Sequence, residues 1–311
     1  MTAAIRFDNL KKTYRERGNR KEALKGISFE VPQGTIFGFL GPNGAGKTTA
    51  MHVLLDFIFA SEGRAEIMGV DSRDPRSRAK VGFLPEIFNF DGFLKGEEFL
   101  RLFGKLGGAN PESVKARIPQ LLEFLDMPTA GSARIRNYSK GMTQKIGLAQ
   151  ALIADPDVLI LDEPTSGMDP IAKARVKQLL QKLRSEGKTV FLSTHILSDI
   201  EDIADRVAII NNGELLAVDK LGALLSSGEP AYRVSYRGGD EQLDTAMRLR
   251  LVPAREADVE TVTCASRDDK DFALATILKH NGDVVAVKQV GTSLLNKFLE
   301  LVKHEELASD K

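Results

Sequence analysis

The sequence has one cysteine and no tryptophan among its 311 residues. With Cys264 alone, no disulfide can form within the chain, which suits a reducing compartment. Cys264 lies in an apolar, alternating stretch, and free cysteine is among the most buried residue types. We therefore expect it in a core and not as a nucleophile.

Long hydrophobic runs and an excess of one charge are also missing. No run approaches the ~18 apolar residues that cross a bilayer, and residues 1–12 lack the layout of a signal peptide. The chain is therefore expected to be soluble and to stay in the cytoplasm. Its 43 Lys and Arg residues balance 43 Asp and Glu residues, so there is no general electrostatic case for binding nucleic acid or an anionic membrane.

A glycine-rich segment, residues 41–49, carries the clearest functional signal. It fits the phosphate-binding loop pattern Gly-x-x-x-x-Gly-Lys-Ser/Thr. Glycines let backbone N–H groups curl around phosphate oxygens, Lys47 adds a charge for the outer phosphates, and Thr48 offers a hydroxyl to Mg2+. The apolar run 35–40 predicts a preceding strand, and residues 47–60 a following helix. The expected nucleotide contacts are Gly41, Pro42, Asn43, Gly44, Ala45, Gly46, Lys47, Thr48 and Thr49.

Two adjacent carboxylates follow a second apolar run. Residues 158–161 are typical of a strand buried on both faces of a parallel sheet, and Asp162 and Glu163 come directly after them. Ligands of open α/β sheets lie beyond the carboxyl ends of the strands. We expect Asp162 to hold Mg2+ and Glu163 to orient or deprotonate an attacking water. His195 follows the apolar strand predicted over 189–193, so it is expected at the same edge.

These motifs resemble those of the ATP-binding subunit of an ABC (ATP-binding cassette) transporter, over residues about 4–225. Residues 41–49 are similar to its Walker A motif and residues 158–163 to Walker B with the catalytic glutamate. Residues 138–142 stand at the place of the family signature and 166–169 at that of the D-loop. His195 stands at the place of the switch histidine. Because all five motifs occur in the family's order, the resemblance is specific.

The resemblance implies roles for further residues. Tyr14 is expected to stack on adenine, and Asp169 of the D-loop to belong to the nucleotide site. Ser139 and Gly141 of the signature are expected to contact a γ-phosphate, through a hydroxyl and a helix N-terminus.

Three positions depart from the family pattern. Lys140 and Met142 replace the usual signature residues, and Lys140 is expected to face solvent. Glu86 stands where the family usually has glutamine, which contacts the metal and the attacking water. Glu86 is therefore expected as a ligand of Mg2+, beside Thr48 and Asp162.

The fold class that the resemblance implies is α/β. We expect a P-loop NTPase (ABC ATPase) core with an antiparallel β subdomain and an inserted helical subdomain at about 90–150, plus a small C-terminal α+β domain. The turn-rich stretch 226–230 predicts a boundary between an ABC ATPase domain at 1–226 and an accessory domain at 231–311. In the accessory domain, strands over 231–236, 259–264 and 284–289 alternate with helices over 242–251, 272–279 and 293–302.

The function implied is that of a Mg2+-dependent ATPase subunit that powers a separate transmembrane permease at the cytoplasmic face of the cell membrane. The Walker A spelling, the signature and the C-terminal extension are most similar to the exporter branch, which moves drugs, lipids or other small molecules. In the family, two cassettes pack head to tail with ATP between one phosphate loop and the other chain's signature. A homodimer or a paired cassette is therefore expected.

Two alternatives stay open. A soluble ABC ATPase acting on ribosomes or DNA would share the motifs, but this chain has one Walker A motif, no sustained heptads and no net positive charge. A binding-only regulatory subunit is the second, and the presence of Glu163 and His195 argues against it.

A cluster of phenylalanines lies near the predicted helical subdomain. With helix-breaking Gly92 and Gly96 in the same segment, not all of these rings can reach one core. They either pack against the helical subdomain or form a groove for a helix of the membrane partner, and Phe90 is the position we expect to matter for coupling. The cluster consists of Phe83, Phe88, Phe90, Phe93, Phe99 and Phe103.

Overall fold

The structure, a computed structural model, describes residues 2–16, 19–87, 90, 92–226, 231–256, 259–264 and 266–290. The chain divides into two compact units, Met1–Lys220 and Leu221–Lys311. The helix expected over 293–302 and the side chain of Phe88 lie outside the described residues. Among those described, no helix has the length and apolarity that crossing a membrane requires.

The first unit contains a four-stranded antiparallel sheet. Its strands are β1 (Ala3–Glu16), β2 (Asn19–Pro32), β4 (Glu62–Ile67) and β5 (Val70–Asp71), in the order β2-β1-β4-β5. Strands β1 and β2 form a long antiparallel hairpin. This sheet is the antiparallel β subdomain that the resemblance implied.

A six-stranded sheet forms the second layer. Its strands are β3 (Ile36–Leu40), β6 (Val81–Leu84), β7 (Val158–Asp162), β8 (Thr189–Thr194), β9 (Arg206–Asn211) and β10 (Glu214–Lys220), in the order β10-β9-β3-β8-β7-β6. All neighbours pair in parallel except β10, which forms an antiparallel hairpin with β9. β3, β7 and β8 are buried along their whole length, which explains their unbroken apolar runs.

Phenylalanine rings join these two sheets in one core. Phe29 of β2 lies 5.6 Å from Phe37 and 5.4 Å from Phe39 of β3, measured between ring centroids. Phe7 of β1 lies 6.1 Å from Phe191 of β8. These separations are within the range at which aromatic pairs attract. The core therefore fixes the antiparallel sheet, which carries Tyr14, against the strands that carry the phosphate loop.

Five helices complete the first unit. They are α1 (Lys47–Leu54), α2 (Gly96–Leu106), α3 (Pro111–Phe124), α4 (Lys140–Leu152) and α5 (Pro170–Ser185). Ser139 caps α4 by accepting a hydrogen bond from the Met142 N–H, and Pro170 occupies the first turn of α5. α2, α3 and α4 lie within the predicted helical subdomain.

The prediction for α1 was too long. The helix ends at Leu54, because Asp56 adopts a left-handed φ of 60° and the N–H groups of Phe57 and Ile58 both turn back to the carbonyl of His52. Ile58 still packs on the core in this turn. The apolar pattern therefore continues beyond the helix and mimics a longer one.

The second unit is a small α+β fold. Its elements are α6 (Leu221–Ser226), β11 (Ala231–Gly238), α7 (Glu241–Arg248), β12 (Pro253–Glu256), β13 (Val259–Cys264), α8 (Arg267–Lys279) and β14 (Gly282–Val290). The strands form an antiparallel sheet in the order β12-β13-β11-β14. The short edge strand β12 was not predicted, because four residues with a proline and two charges carry no strand signal.

Cys264 is fully buried in the core of this second unit, as predicted. Burial raises the pKa of its thiol to about 11. The side chain therefore acts as a small apolar group.

Candidate nucleotide-binding site

The predicted site residues meet at one edge of the six-stranded sheet. The carboxyl ends of β3, β8, β7 and β6 are neighbours there. β3 leads into the loop 41–46, β8 into His195, and β7 ends at Asp162, while Glu86 closely follows β6. Four strands that are distant in sequence therefore deliver the loop, two carboxylates and a histidine to one place.

Two glycines of the loop are required by close backbone approach. A Cβ at Gly41 would lie 2.2 Å from the carbonyl oxygen of Ile210, and a Cβ at Gly46 would lie 2.6 Å from that of Ala23. Gly46 also has a φ of 111°, which side chains rarely adopt. The Lys47 ammonium donates to the carbonyl oxygens of Gly41 at 2.7 Å and Pro42 at 3.1 Å, so the loop closes on its own lysine.

The loop borders a cavity of about 420 Å³, a size typical of small-ligand sites. Tyr14, Glu86, Asp162 and Glu163 line this cavity together with Asn43, Gly44 and the segment from Gly46 to Thr49. The structure thus brings together most of the predicted nucleotide and metal contacts. Lys21 and Ala23 of β2 also line it and were not predicted. Lys21 is the antiparallel partner of Tyr14, so the register of the first hairpin places it there.

Oxygen donors suited to Mg2+ lie side by side in this cavity. The Thr48 hydroxyl donates to the Asp162 Oδ2 at 2.7 Å, and the carboxylate of Glu86 lines the same space. The described residues contain no cluster of three or more His, Cys, Asp or Glu that could form a complete metal cage. Mg2+ is usually held by one or two carboxylates with substrate phosphates, so this donor set fits that mode.

Ser193 connects the Asp162 carboxylate with the backbone of Glu163 and was not predicted as a site residue. Its fully buried hydroxyl donates to the Asp162 Oδ1 and accepts a hydrogen bond from the Glu163 N–H at 3.1 Å. Glu163 has a φ of 51°, a left-handed conformation that is strained for a residue with a side chain. The Ser193 contacts therefore hold Asp162 in place and support the unusual backbone of Glu163.

The Glu163 carboxylate lies among polar partners and is almost inaccessible to solvent. Its Oε1 is 2.8 Å from the Nδ1 of His195 and 3.9 Å from the Nζ of Lys47. Gln144 of α4, also not predicted, donates to the Glu163 carbonyl at 3.3 Å. Burial lowers the pKa of Lys47, and the charges of Glu163, Asp162 and Glu86 oppose that shift. The arrangement offers a buried base, a histidine and a cation at the end of the phosphate loop.

Seven predicted site residues are not among those that line this cavity: Gly41, Pro42 and Ala45 within the phosphate loop, His195, which contacts Glu163 instead, and Ser139, Gly141 and Asp169. Ser139 and Gly141 lie at the N-terminus of α4, and Asp169 at that of α5. The Asp169 carboxylate accepts a hydrogen bond from the Ala172 N–H at 2.9 Å, and such backbone hydrogen bonds lower its pKa. Lys140 is exposed as predicted, although its stem lies beside Gly167.

Ser193→Ala is expected to lower kcat/KM for ATP hydrolysis by about tenfold. The change removes the hydroxyl that donates to the buried Asp162 Oδ1, while the Glu163 N–H keeps only the Ser193 carbonyl at 3.3 Å, and a buried polar group that loses its partner costs about 1–3 kcal/mol. Steady-state phosphate release measures the effect, and Ser198→Ala, which removes an exposed hydroxyl, is the matched control. Wild-type kinetics in Ser193→Ala would contradict a positioning role for Ser193.

The chain is similar to proteins of one known family. The family model described as "ABC transporter" matches residues 24–166. An uncharacterized ABC transporter ATP-binding protein of Synechocystis sp. is 44% identical over 223 residues, covering 71% of this chain and 63% of that protein. Another, of Nostoc sp., is 36% identical over 309 residues, covering 98% of this chain and 91% of the relative. The chain belongs to the ABC transporter ATP-binding protein family.

Further relatives of this ABC protein bear on its fold and assembly. A Nod factor export ATP-binding protein I of Paraburkholderia xenovorans is 37% identical over 267 residues, which cover 84% of this chain and 86% of that protein. A dimeric ATP-binding cassette solved in a post-hydrolysis state with ADP and Pi has 25% identity and a TM-score of 0.65. The match covers 70% of this chain and 98% of that chain. These similarities confirm the predicted ABC ATPase fold.

Proposed function

We propose that this ABC subunit binds ATP with Mg2+ in the cavity beside the phosphate loop and hydrolyses it to drive a separate transmembrane permease. The observation that carries the proposal is the convergence of the Lys47 ammonium, the Asp162 and Glu163 carboxylates and the His195 ring at one sheet edge. Release of phosphate from ATP by the purified chain is the direct test. A chain that binds ATP without hydrolysing it would point to the regulatory alternative.

Different residues would bind the phosphates, the adenine and the metal ion. The loop from Gly41 to Thr49 and its lysine bind the phosphates, and Tyr14 stacks on the adenine. Thr48, Asp162 and Glu86 would hold Mg2+, which when bound would neutralise phosphate charge.

Glu163 acts as the base that takes a proton from the attacking water, because it is a buried carboxylate close to the phosphate-binding lysine. His195 hydrogen-bonds Glu163 and faces the same edge, so it positions this base and can contact the terminal phosphate.

A second cassette completes the site in this proposal. Ser139, Gly141 and Asp169 lie outside the cavity of their own chain, and two helices begin at them. A helix N-terminus attracts phosphate, and Ser139 adds a hydroxyl. We therefore assign these three residues to the nucleotide of a partner cassette, either an identical chain or a relative. The dimeric solved cassettes support this assembly.

The surface that we propose for the permease is apolar. Phe57, Phe59, Ile87 and Phe93 are large, exposed side chains in the first unit. The expectation for Phe90 needs refinement, because its ring packs edge-on against Phe99 at 4.3 Å between centroids, and Phe99 is fully buried. Part of the phenylalanine cluster is therefore core, and Phe93 is the cleaner position for a test.

Phe93→Asp is expected to reduce transport, and the permease-stimulated part of ATP hydrolysis, at least about tenfold, since a buried charge is strongly unfavourable in an apolar contact. Basal hydrolysis by the isolated chain should stay within about twofold, because a surface change far from special features is nearly neutral. The measurement compares both activities in proteoliposomes and in solution. Leu106→Asp, on an exposed residue at the end of α2, is the matched control. Full transport by Phe93→Asp would place the docking surface elsewhere.

Export is the direction we propose, with a drug, a lipid or another small molecule as cargo, at the cytoplasmic face of the cell membrane. Support comes from the relatives named Nod factor export ATP-binding protein I. The alternative of a soluble ABC ATPase acting on ribosomes or DNA is decided by what the chain binds in cells. The second unit, taken with the predicted accessory domain at 231–311, is proposed as a dimerisation or regulatory module.

A further inference from the structure

A buried polar cluster lies next to the segments that carry Glu163 and His195. The Thr165 hydroxyl donates to the Asp199 Oδ2 at 2.6 Å, and the Lys173 ammonium donates to both Asp199 oxygens, at 2.9 and 3.2 Å. Thr165 and Asp199 are 6% and 8% exposed. We infer that Asp199, through Thr165 and Lys173, is a positioning residue that sets the geometry of Glu163 against His195. This inference rests on the proposed function.

The cluster joins three stretches of chain that lead away from the site. Thr165 closely follows Glu163 at the end of β7, and Asp199 lies one short turn after His195 at the end of β8. Lys173 is in the first turn of α5, where its N–H donates to the Asp169 carbonyl at 3.0 Å. One carboxylate therefore links the segment after Glu163, the segment after His195 and the start of the helix that Asp169 caps.

Local hydrogen bonds make these links short and stiff. The Ser166 N–H donates to the Glu163 carbonyl at 3.1 Å, so Thr165 lies inside a tight turn that begins at Glu163. On the other side, the Asp199 N–H donates to the Ile196 carbonyl at 3.0 Å, and the Ile196 N–H donates to the Thr194 hydroxyl at 2.9 Å. A shift of Thr165 relative to Asp199 therefore moves Glu163 relative to His195.

Stability alone does not account for this cluster. Burying a carboxylate carries a desolvation cost that hydrogen bonds and a cation only offset, and apolar residues of similar size often serve stability as well. Here the polar cluster lies beside a strained Glu163, with a φ of 51°, and beside the 2.8 Å contact between its Oε1 and the Nδ1 of His195. Strained conformations persist where the surroundings over-determine them. Asp199 lies in the segment that follows His195, and it supports the strained conformation of Glu163 from that segment.

The test uses Thr165→Val, which removes the hydroxyl at nearly constant volume, and Thr165→Ser, which restores it. In the full-length chain we expect Thr165→Val to lower kcat for ATP hydrolysis about tenfold with KM for ATP within about twofold, because small misplacements of reacting groups act on the chemical step. Thr165→Ser should recover most of kcat. Asp199→Asn should show the same split between kcat and KM.

Asp202→Asn is the matched control, since Asp202 is an exposed carboxylate of the same segment that pairs with Lys177 and takes no part in the Asp199 cluster. Its kcat should equal that of the wild type. Melting temperatures identify any variant that loses folded protein, and rates are expressed per folded chain. If the cluster served stability alone, Thr165→Val and Asp199→Asn would lower the melting temperature and leave kcat per folded chain unchanged.

A second readout does not depend on turnover. The ring signals of His195, assigned by their loss in His195→Gln, are recorded by NMR at one fixed pH. Thr165→Val should move these chemical shifts and Asp202→Asn should not. Unchanged kcat together with unchanged His195 chemical shifts in Thr165→Val and Asp199→Asn would overturn the inference. A wild-type chain without ATPase activity would overturn the proposed function instead, and the His195 chemical shifts would still decide the role of the cluster.

Discussion

Glu163→Gln is expected to lower kcat for ATP hydrolysis by about 10²–10⁴-fold, the usual range for loss of a general acid or base. The amide keeps the size of the side chain and a hydrogen-bonding oxygen for His195, but it cannot take a proton from water. ATP binding should persist, because the phosphate loop and Lys47 are unchanged. Since ATP lies between two cassettes in the proposed assembly, the variant should accumulate as an ATP-bound dimer.

Phosphate release measures the first effect, and light scattering with ATP and Mg2+ measures the second. Glu186→Gln, which changes an exposed carboxylate after α5, is the matched control and should behave as the wild type does. A Glu163→Gln chain that stays monomeric with ATP and Mg2+ would count against the proposed dimer. One that still hydrolyses ATP at the wild-type rate would remove Glu163 from the role of base.

Lys47→Met is expected to weaken ATP binding by at least about 30-fold, since truncating one member of a buried charge pair costs about 2–5 kcal/mol. The Lys47 side chain is buried, and its ammonium lies 3.9 Å from the Glu163 Oε1. Fluorescent nucleotide binding gives the dissociation constant, with Lys182→Met as a surface control. Circular dichroism establishes that each variant is folded. A dissociation constant in Lys47→Met within about threefold of the wild-type value would contradict the assignment of the phosphate site.

The lowered pKa of Lys47 determines how the affinity for ATP changes with pH. Burial lowers the pKa of Lys47 below its ordinary value of 10.5. Binding of phosphate requires the charged form, so ATP affinity should hold below the lowered pKa and fall as the pH rises through it. In the wild-type chain this loss should begin at a lower pH than an ordinary lysine would give. A flat affinity up to the ordinary lysine pKa would show that Lys47 is not the group that responds.

The site residues that could be predicted from sequence are those that a local sequence pattern identifies. Unbroken apolar runs predicted β7 and β8, and the residues that follow such buried strands, Asp162 and His195, were therefore expected at the sheet edge. The glycine spacing of the loop was sufficient because Gly41 and Gly46 each meet a backbone carbonyl at a distance that excludes a Cβ.

The residues that sequence reasoning missed depend on pairing between distant strands. Ser193 reaches Asp162 because β7 and β8 are neighbours in the register that places these two residues opposite each other. Lys21 joins the cavity because the first hairpin pairs it with Tyr14. Gln144 reaches the Glu163 carbonyl only once α4 has packed beside the sheet. A polar residue at the end of an otherwise apolar strand was the available signal for Ser193.

The central claim is that this ATPase drives a separate membrane protein. The most direct measurement is to purify the tagged Glu163→Gln chain from native membranes in mild detergent with ATP and to identify what remains bound. We predict a membrane protein with several spans, retained with ATP and lost in the Lys47→Met and Phe93→Asp variants of the same chain. Recovery of ribosomal proteins, of DNA or of no partner would contradict the transporter account.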